Sequence, residues 1–368
     1  MTAIFDIQGT GTATPYDGSI VTTQGIVTGD FQGSAQLRGF FIQDTTGDGN
    51  SLTSDGIFVL DSVSNVNIGD YLKLTGEADE FFQKTELKII TTLSVLSTGN
   101  PLPAPVTINL PVSAVPDLES YEGMLVTFPQ QLSVTETFTL GRFGEVLLSA
   151  NGRLFNPTSF IDPNDNPASG TTSSGNGNVS AVNTQQDLNN RSQILMDDGS
   201  TVQNPPIVPY LNSADTTLRI GSTITSLTGV LDFDFSVYRL QPTISPAINY
   251  VPRPAVPSVG AANLRIASFN VLNFFNGDGL GGGFPTSRGA NTLSEFNRQR
   301  VKIIEAIKSL NADVVGLIEM ENDGNGSNSA IADLVNGLNA ATATGTYAFI
   351  ADPTGANGNT GTDAIKVP

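Results

Sequence analysis

Short apolar runs broken by glycine or aspartate dominate the first quarter of the chain and restrict it to short, closely connected strands. Between Gly25 and Leu96 the runs are GIVTGDF, GFFIQD, GIFVLD, YLKLTGEA and ELKIITTLSVL. Runs of about four to eight apolar and β-branched residues between turn residues are typical of strands. Five such runs in succession predict a small β-barrel, which we assign to residues 1–105.

A second β-rich block is predicted for residues 106–250. Its strand candidates are LVTFPQQLSV, EVLLSANGRLF, LRIGSTITSLTGVLDF and YRLQPT. The preceding segment, 98–117, contains five prolines and is expected to run extended, as a linker or as a strap across a surface. Residues 162–193 are mostly Asn, Ser, Gly and Gln, which predicts a long mobile loop.

The proline-rich segment VPRPAVPSVG, residues 251–260, marks the expected main domain boundary. After it the pattern alternates between strand and helix: a strand at 264–274, a helix at 293–310, a strand at 314–318, a helix near 328–340 and a strand at 346–350. This order is typical of the opening of a layered α/β domain, assigned to residues 261–368. About three strands are fewer than most such sheets contain, so we expect this domain to be incomplete.

The first of the two helices has the clearest local signals. Thr292 and Glu295 have the spacing of a capping box, which predicts where the helix begins. Apolar residues then recur at steps of three and four on one face: Phe296, Ile303, Ile304, Ile307 and Leu310. That period predicts an amphipathic helix packed against a sheet.

Composition excludes several kinds of chemistry. The chain has no Cys and no His, so thiolate nucleophiles, disulfides, imidazole bases and His-ligated metal sites are absent from it. A net charge of −18 argues against a basic surface that gathers nucleic acid. It does not argue against a metal-dependent phosphodiesterase, because a bound divalent cation reverses the field where the phosphate sits.

The sequence shows no membrane segment. It has no run of about 18 apolar residues, the length that a spanning helix requires. The start, MTAIFDIQGTG, lacks the basic and apolar regions of a signal peptide. Any export signal is therefore expected to lie outside these residues.

Two polar residues fall where the sites of α/β sheets form, at the carboxyl ends of strands. They are Asn270 in SFNVLNF and Glu319 at the end of VVGLIE. On neighbouring strands, their oxygens would converge as hard ligands for Mg²⁺, Mn²⁺ or Ca²⁺. The alternative is that Asn270 caps a turn and Glu319 is a solvated acid. Glu321 is predicted to be a loop residue that holds the turn at 322–326.

The amino-acid sequence around these residues resembles that of a known superfamily. ASFNVLNF, FNRQRVKIIEAIKSL and ADVVGLIE, in that order, resemble the first part of the endonuclease/exonuclease/phosphatase superfamily, whose domain is a four-layered α/β sandwich. NADVVGLIEMEND, with GTDAIKV downstream, is similar to secreted bacterial nucleases of the ExeM type. The N-terminal DIQGTGTATPYDGSIVTTQGIVTGDF and IGDYLKLTGEADEFF resemble the OB-fold module of the YhcR type that precedes this domain in those nucleases.

The resemblance implies a function and site residues. Glu319 matches the metal-binding Glu and Asn270 the site Asn, with Mg²⁺, or Mn²⁺ or Ca²⁺, as the cofactor. The implied activity is divalent-metal-dependent hydrolysis of extracellular nucleic acid, DNA rather than RNA, outside the cell or at its surface. The superfamily's later GDxN-like turn and terminal Ser-Asp-His are not found, and its catalytic His is excluded by composition. We therefore expect the full-length relative to be active and these residues alone to be inactive.

Two alternatives remain open at this point. One is another phosphoesterase of the same superfamily, acting on lipid or inositol phosphates. The other is a non-catalytic module in which the β domains bind a polymer or a surface. Phe40, Phe41, Phe81 and Phe82 bear on the second alternative, because OB-folds stack aromatic rings on single strands, although core packing explains some of these rings.

Overall fold

The computed structural model of the chain describes residues 1–161, 179–351 and 365–366. These residues form mostly β-sheet with few helices, which confirms a β-rich, multidomain chain. Two compact units are present, Met1–Arg253 and Pro254–Pro368. Among the described residues, no helix combines the length and the apolar character needed to cross a membrane.

The first unit begins with a closed barrel of five strands. The strands are β1 (Ile20–Phe31), β2 (Gly39–Gln43), β3 (Gly56–Val59), β4 (Tyr71–Phe81) and β5 (Lys84–Ser97). They hydrogen-bond in the order β1-β2-β3-β5-β4, with β3 parallel to β5. The predicted small barrel is thus present.

Alternating side chains fill the barrel. On β4, Leu72 and Leu74 point inward and are fully buried, whereas Lys73 between them is exposed. The short helix α1 (Ile4–Gln8) adds the buried side chains of Ile4 and Ile7 to the same core. Each such buried aliphatic side chain stabilises the fold by about 1.5–3 kcal/mol.

A second sheet completes the first unit. Its described strands number nine and hydrogen-bond in the order β14-β11-β8-β9-β10-β13-β12-β7-β6. They are β6 (Val106–Thr107), β7 (Leu125–Phe128), β8 (Leu132–Glu136), β9 (Val146–Ala150), β10 (Gln193–Met196), β11 (Thr223–Ile224), β12 (Leu227–Asp234), β13 (Val237–Pro242) and β14 (Ile248–Asn249), with the short helix α2 (Leu140–Phe143) between β8 and β9. The proline-rich strap supplies the edge strand β6 and buries Ile108 and Leu110 in the core of this sheet.

The barrel and the nine-stranded sheet share an apolar interface, which we call the barrel–sheet interface. It consists of Phe31, Phe41, Phe58, Leu125 and Val230, all of them buried. At its edge two glycine backbones touch. A Cβ on Gly123 would lie 2.7 Å from the carbonyl carbon of Gly56, and a Cβ on Gly56 would collide with the Gly123 carbonyl. Only glycine at both positions permits this approach.

Charged side chains are also buried at the barrel–sheet interface. Lys84 Nζ lies 3.3 Å from Asp232 Oδ1 and 4.5 Å from the centroid of the Phe58 ring. Burial acts to lower the pKa of Lys84, but Asp232 and the other nearby carboxylates raise it above its ordinary value, so the ammonium stays charged. Glu86 is only 4% exposed, and burial raises its pKa to about 7.

The prediction of a loop at 162–193 is wrong over its second half. Residues 162–178 lie outside the described residues, and Val179–Arg191 forms helix α3. Polar pairs one turn apart stabilise this helix: Gln185 donates to Asn189, and Arg191 Nε lies 2.7 Å from Asp187 Oδ2. The polar composition is that of a loop, but the helix pairs its own side chains and also donates to the distant carbonyls of Phe155 and Val112.

The second unit is a small α/β arrangement. It contains strand β15 (Ile266–Phe274), helix α4 (Leu293–Leu310), strand β16 (Val314–Glu321), helix α5 (Ala330–Ala341) and strand β17 (Ile365–Lys366). β15 and β16 are parallel, and β17 is antiparallel to β16. Thr292 and Glu295 form the predicted capping box, and α4 packs its apolar face into the core of this unit.

The strand predicted at residues 346–350 is wrong. Asn339 on α5 takes both backbone polar groups of Tyr347, since its Oδ1 accepts from Tyr347 N at 2.8 Å and its Nδ2 donates to Tyr347 O at 3.0 Å. This segment therefore pairs with a side chain instead of a strand. The third described strand of the sheet is β17, which pairs with Met320 and Glu321 of β16.

Candidate metal centre

The two residues predicted to form a site lie on adjacent strands. β15 and β16 run parallel, and Asn270 stands opposite Ile318, the residue before Glu319. Parallel neighbours bring their carboxyl ends to the same edge of the sheet. The neighbouring strands on which the predicted convergence depended are therefore present.

The backbone at this edge is irregular on both strands. The register shifts between Asn270 and Phe274, and within that interval Leu272 and Asn273 have φ of 54° and 51°. On β16, Glu319 has φ of 66°. Bulges re-aim side chains at sheet edges, and left-handed residues other than glycine cluster at functional sites. The distortion therefore includes Glu319 on one strand and begins directly after Asn270 on the other.

The side chains of Asn270 and Glu319 are in direct contact. Asn270 Nδ2 donates to Glu319 Oε1 at 2.8 Å, and Asn270 Oδ1 accepts from the N–H of Leu272 at 2.8 Å. Asn270 is exposed and Glu319 is half-buried. Among the described residues Glu319 Oε2 has no hydrogen-bond donor, so one carboxylate oxygen is oriented by Asn270 and the other is available to a ligand.

A side chain from α4 fixes the bulge. Gln299 Nε2 donates to the carbonyl of Val271 at 3.0 Å and to that of Leu272 at 2.6 Å. These carbonyls lie where the ladder is interrupted, so Gln299 takes the place of a strand partner. Gln299 is a positioning residue, because it acts on Asn270 through the backbone.

The prediction for Glu321 is wrong. Glu321 is the last residue of β16 and is 6% exposed, and it accepts from the N–H of Asn276 at 3.1 Å, so it holds the loop that follows β15. Burial raises its pKa to about 7. The left-handed backbone at Glu319 breaks the strand's alternation, so Met320 and Glu321 are buried in succession.

The donor set fits a hard cation that keeps most of its water. Among the described residues there is no group of three or more His, Cys, Asp or Glu side chains placed to hold a metal ion. Mg²⁺ is commonly bound by one or two carboxylates, with water and substrate phosphate completing its six ligands. Glu319 Oε2 supplies one such carboxylate oxygen. The amide oxygen of Asn270 is turned to the N–H of Leu272 and its amide nitrogen faces Glu319, so Asn270 orients the carboxylate and the predicted convergence of two oxygens is not seen.

Gln299 and Asn276, which support the site, were not predicted from the sequence. Gln299 lies on the apolar face of α4, three residues after Phe296 and four before Ile303, and a polar residue within such a stripe was the available signal. Asn276 carried no comparable signal. Its role depends on a contact with Glu321 that spans 45 residues of sequence.

Comparisons with known proteins cover parts of the chain. A family model described as "Domain of unknown function (DUF8508)" matches residues 112–252, the region of the nine-stranded sheet. No curated protein matches the sequence. A solved structure of fission yeast Pot1 with single-stranded DNA aligns over 63% of this chain and 83% of that chain, at 13% identity and a TM-score of 0.24. A TM-score this low does not indicate a shared fold and carries no functional argument.

Proposed function

We propose that the second unit is the N-terminal part of an endonuclease/exonuclease/phosphatase-type domain, a four-layered α/β sandwich. The function proposed for the full-length protein is divalent-metal-dependent hydrolysis of phosphodiester bonds in extracellular nucleic acid, DNA rather than RNA, and these residues alone are expected to be inactive. The observation that carries this proposal is the 2.8 Å contact between Asn270 and Glu319, which stand where the regular pairing of two parallel strands ends. The resemblance of the sequence around both residues to this superfamily supports the proposal.

The chain's own residues prepare the centre. Glu319 Oε2 is the ligand for Mg²⁺, or for Mn²⁺ or Ca²⁺, and Asn270 holds the other carboxylate oxygen so that the carboxylate cannot rotate freely. Gln299 keeps the bulge, and hence Asn270, in place. When bound, the cation supplies Lewis-acid stabilisation of the charge that develops on the phosphoryl oxygens.

The acidic character of the chain agrees with phosphate binding through a bound cation. A net charge of −18 would repel a nucleic acid at long range, and a bound cation would reverse the local field at the edge of the sheet where the phosphate sits. Substrate and metal would then bind together, with water and phosphate oxygens adding to the one ligand that Glu319 would supply.

Substitution Glu319→Gln is expected to weaken Mn²⁺ binding by at least about tenfold, since it removes the anionic ligand while keeping the contact with Asn270. Isothermal titration calorimetry of the full chain measures this. The control is Glu305→Gln, an exposed acid on α4 whose contact is with Lys308. An equal loss in both variants would mean that the chain attracts Mn²⁺ by its net charge alone.

The 368 residues are expected to leave plasmid DNA intact in the presence of Mg²⁺. The chain contains no His, so the imidazole that the superfamily uses at its terminal Ser-Asp-His motif is missing. The measurement compares the chain with its Glu319→Ala variant by gel electrophoresis. Clean cleavage above the variant's level would refute the expected inactivity and support the metal centre.

A further inference from the structure

A cavity of about 490 Å³ lies in the first unit, where the barrel and the nine-stranded sheet meet. Its apolar wall includes Leu147 and Leu195 of the sheet, and the tilted ring pair of Phe233 and Tyr238, whose centroids are 4.8 Å apart. Its polar groups are mostly amides and hydroxyls: Thr12, Gln83, Asn190, Gln193, Ser236 and Tyr238. A cavity of this size holds a small molecule or a short segment of a polymer.

The lining carries almost no charge. Glu119 is the one acidic residue among the described lining residues, and no Lys or Arg accompanies it. Tyr238 Oη donates to Glu119 Oε2 at 2.7 Å, so this carboxylate already has a partner. The cavity therefore offers nothing to neutralise a phosphate or another anion.

Two hairpin turns border the cavity and display aromatic rings. In the β4–β5 turn Phe81 pairs with Lys84, and in the β12–β13 turn Asp234 pairs with Val237, so each turn has two residues. In both turns the second residue, Gln83 or Ser236, lines the cavity. The first residue of each is a phenylalanine whose ring faces solvent, with Phe82 79% and Phe235 82% exposed.

The conformation of these turns makes phenylalanine a costly choice. Phe82 and Gln83 have φ of 50° and 71°, and Phe235 and Ser236 have φ of 50° and 63°. Two-residue turns with positive φ at both positions favour Asn, Asp and Gly. A bulky residue in this region costs about 1–3 kcal/mol. Phe82 packs edge-on against Phe81, and Phe235 lies 5.7 Å from the Arg239 guanidinium, and such contacts of about 0.5–1.5 kcal/mol offset part of this cost.

We propose that this cavity and its two turns bind a neutral carbohydrate, a short stretch of pyranose units in an uncharged polysaccharide. Amide and hydroxyl groups both donate and accept hydrogen bonds, as sugar hydroxyls require. Exposed aromatic rings pack against the C–H face of a sugar, which is apolar. This site is independent of the metal centre, which lies in the second unit.

The charge of the site favours a neutral carbohydrate over single-stranded nucleic acid, the other class of ligand that stacks on aromatic rings. Single-stranded nucleic acid requires a positively charged groove beside its stacking platform. Here the lining has no cation and the chain has a net charge of −18. Phe40 and Phe41 cannot serve as a platform either, since they are 0% and 1% exposed.

The test is affinity electrophoresis of the full chain in gels containing dextran, xylan, galactomannan or mixed-linkage β-glucan. At least one of these polysaccharides is expected to retard the chain. The double variant Phe82→Asn, Phe235→Asn is expected to weaken that binding by at least about tenfold. Asparagine suits a positive φ, so the turns are expected to stay folded, which a thermal melt verifies.

The matched control is Phe138→Asn, which removes another exposed phenylalanine, one that is 87% exposed and does not line the cavity. The proposal holds if the control binds as the parent chain does and the double variant does not. It is overturned if none of the four polysaccharides retards the chain, or if the double variant and the control behave alike. It is also overturned if a single-stranded oligonucleotide or a basic peptide binds and the neutral glycans do not.

Discussion

Replacing Lys84 by methionine is expected to lower the free energy of unfolding of the first unit by about 3–5 kcal/mol near pH 8. Lys84 lies at the barrel–sheet interface with a side chain 9% exposed, and its partner Asp232 is 0% exposed. Methionine keeps most of the packing against Phe58 and removes the positive charge. The buried Asp232 carboxylate would then lose its ion-pair partner and keep only the weaker attraction of Arg239, beside Glu86.

Urea unfolding followed by tyrosine fluorescence measures this effect in the full chain. Of the seven tyrosines, all but Tyr347 lie in the first unit, so the signal reports chiefly on that unit. The control is Lys73→Met, which removes an exposed lysine from β4. A loss for Lys84→Met no larger than that for Lys73→Met would show that the buried ion pair contributes little.

Replacing Glu86 by glutamine is expected to stabilise the first unit increasingly as the pH rises from about 5 to about 8. Burial raises the pKa of Glu86 from 4.5 to about 7, with Asp79 adding to the rise and Lys84 opposing it. Between pH 4.5 and about 7, Glu86 holds a proton in the native state that it has lost in the unfolded state. The free energy of unfolding of the parent chain therefore falls as the pH rises through this range. Glutamine cannot ionise and escapes this loss.

The shift in the pKa of Glu86 sets the size of the stabilisation expected for Glu86→Gln. At about 1.4 kcal/mol per pKa unit, the free-energy difference between variant and parent is expected to change by at most about 3 kcal/mol across that range. Unfolding the two proteins in urea at both pH values gives this difference directly. Glu136→Gln, which changes an exposed acid on β8, is the control and is expected to show no such trend. A flat difference for Glu86→Gln would refute the prediction.

Helix α4 shows what local sequence determines. Its predicted and observed bounds are both Leu293–Leu310. The capping box of Thr292 and Glu295 and the apolar face are set by residues within one or two turns of one another. The strands of the barrel were predictable for the same reason, because turn residues and alternating side chains are local signals.

Elements that depend on distant partners were not predictable. The segment at 346–350 has strand-like residues, but Asn339 satisfies its backbone and β17 takes the position beside β16. Helix α3 lacks an apolar stripe, and its polar composition is also that of a loop.

The candidate site likewise contains residues that could be predicted from local sequence and residues that could not. The proximity of Asn270 and Glu319 was predictable, because both strands could be recognised from sequence and parallel neighbours align them, although β16 runs on to Glu321. The role of Glu321 was not, because the strand continues through Glu321 instead of ending at Ile318, and its partner Asn276 is 45 residues away in sequence. Gln299 and Asn276 act on loops that are distant in sequence, and only the folded chain brings them together.

The glycine pair at the barrel–sheet interface limits how the first unit can be recombined in evolution. A barrel fused to a different sheet would in general meet a side chain opposite Gly56 or Gly123, and the two backbones could not approach as they do here. The cluster around Phe41 and Val230 would then open to water. We expect the barrel and its sheet to be inherited together, as a matched pair and not as interchangeable modules.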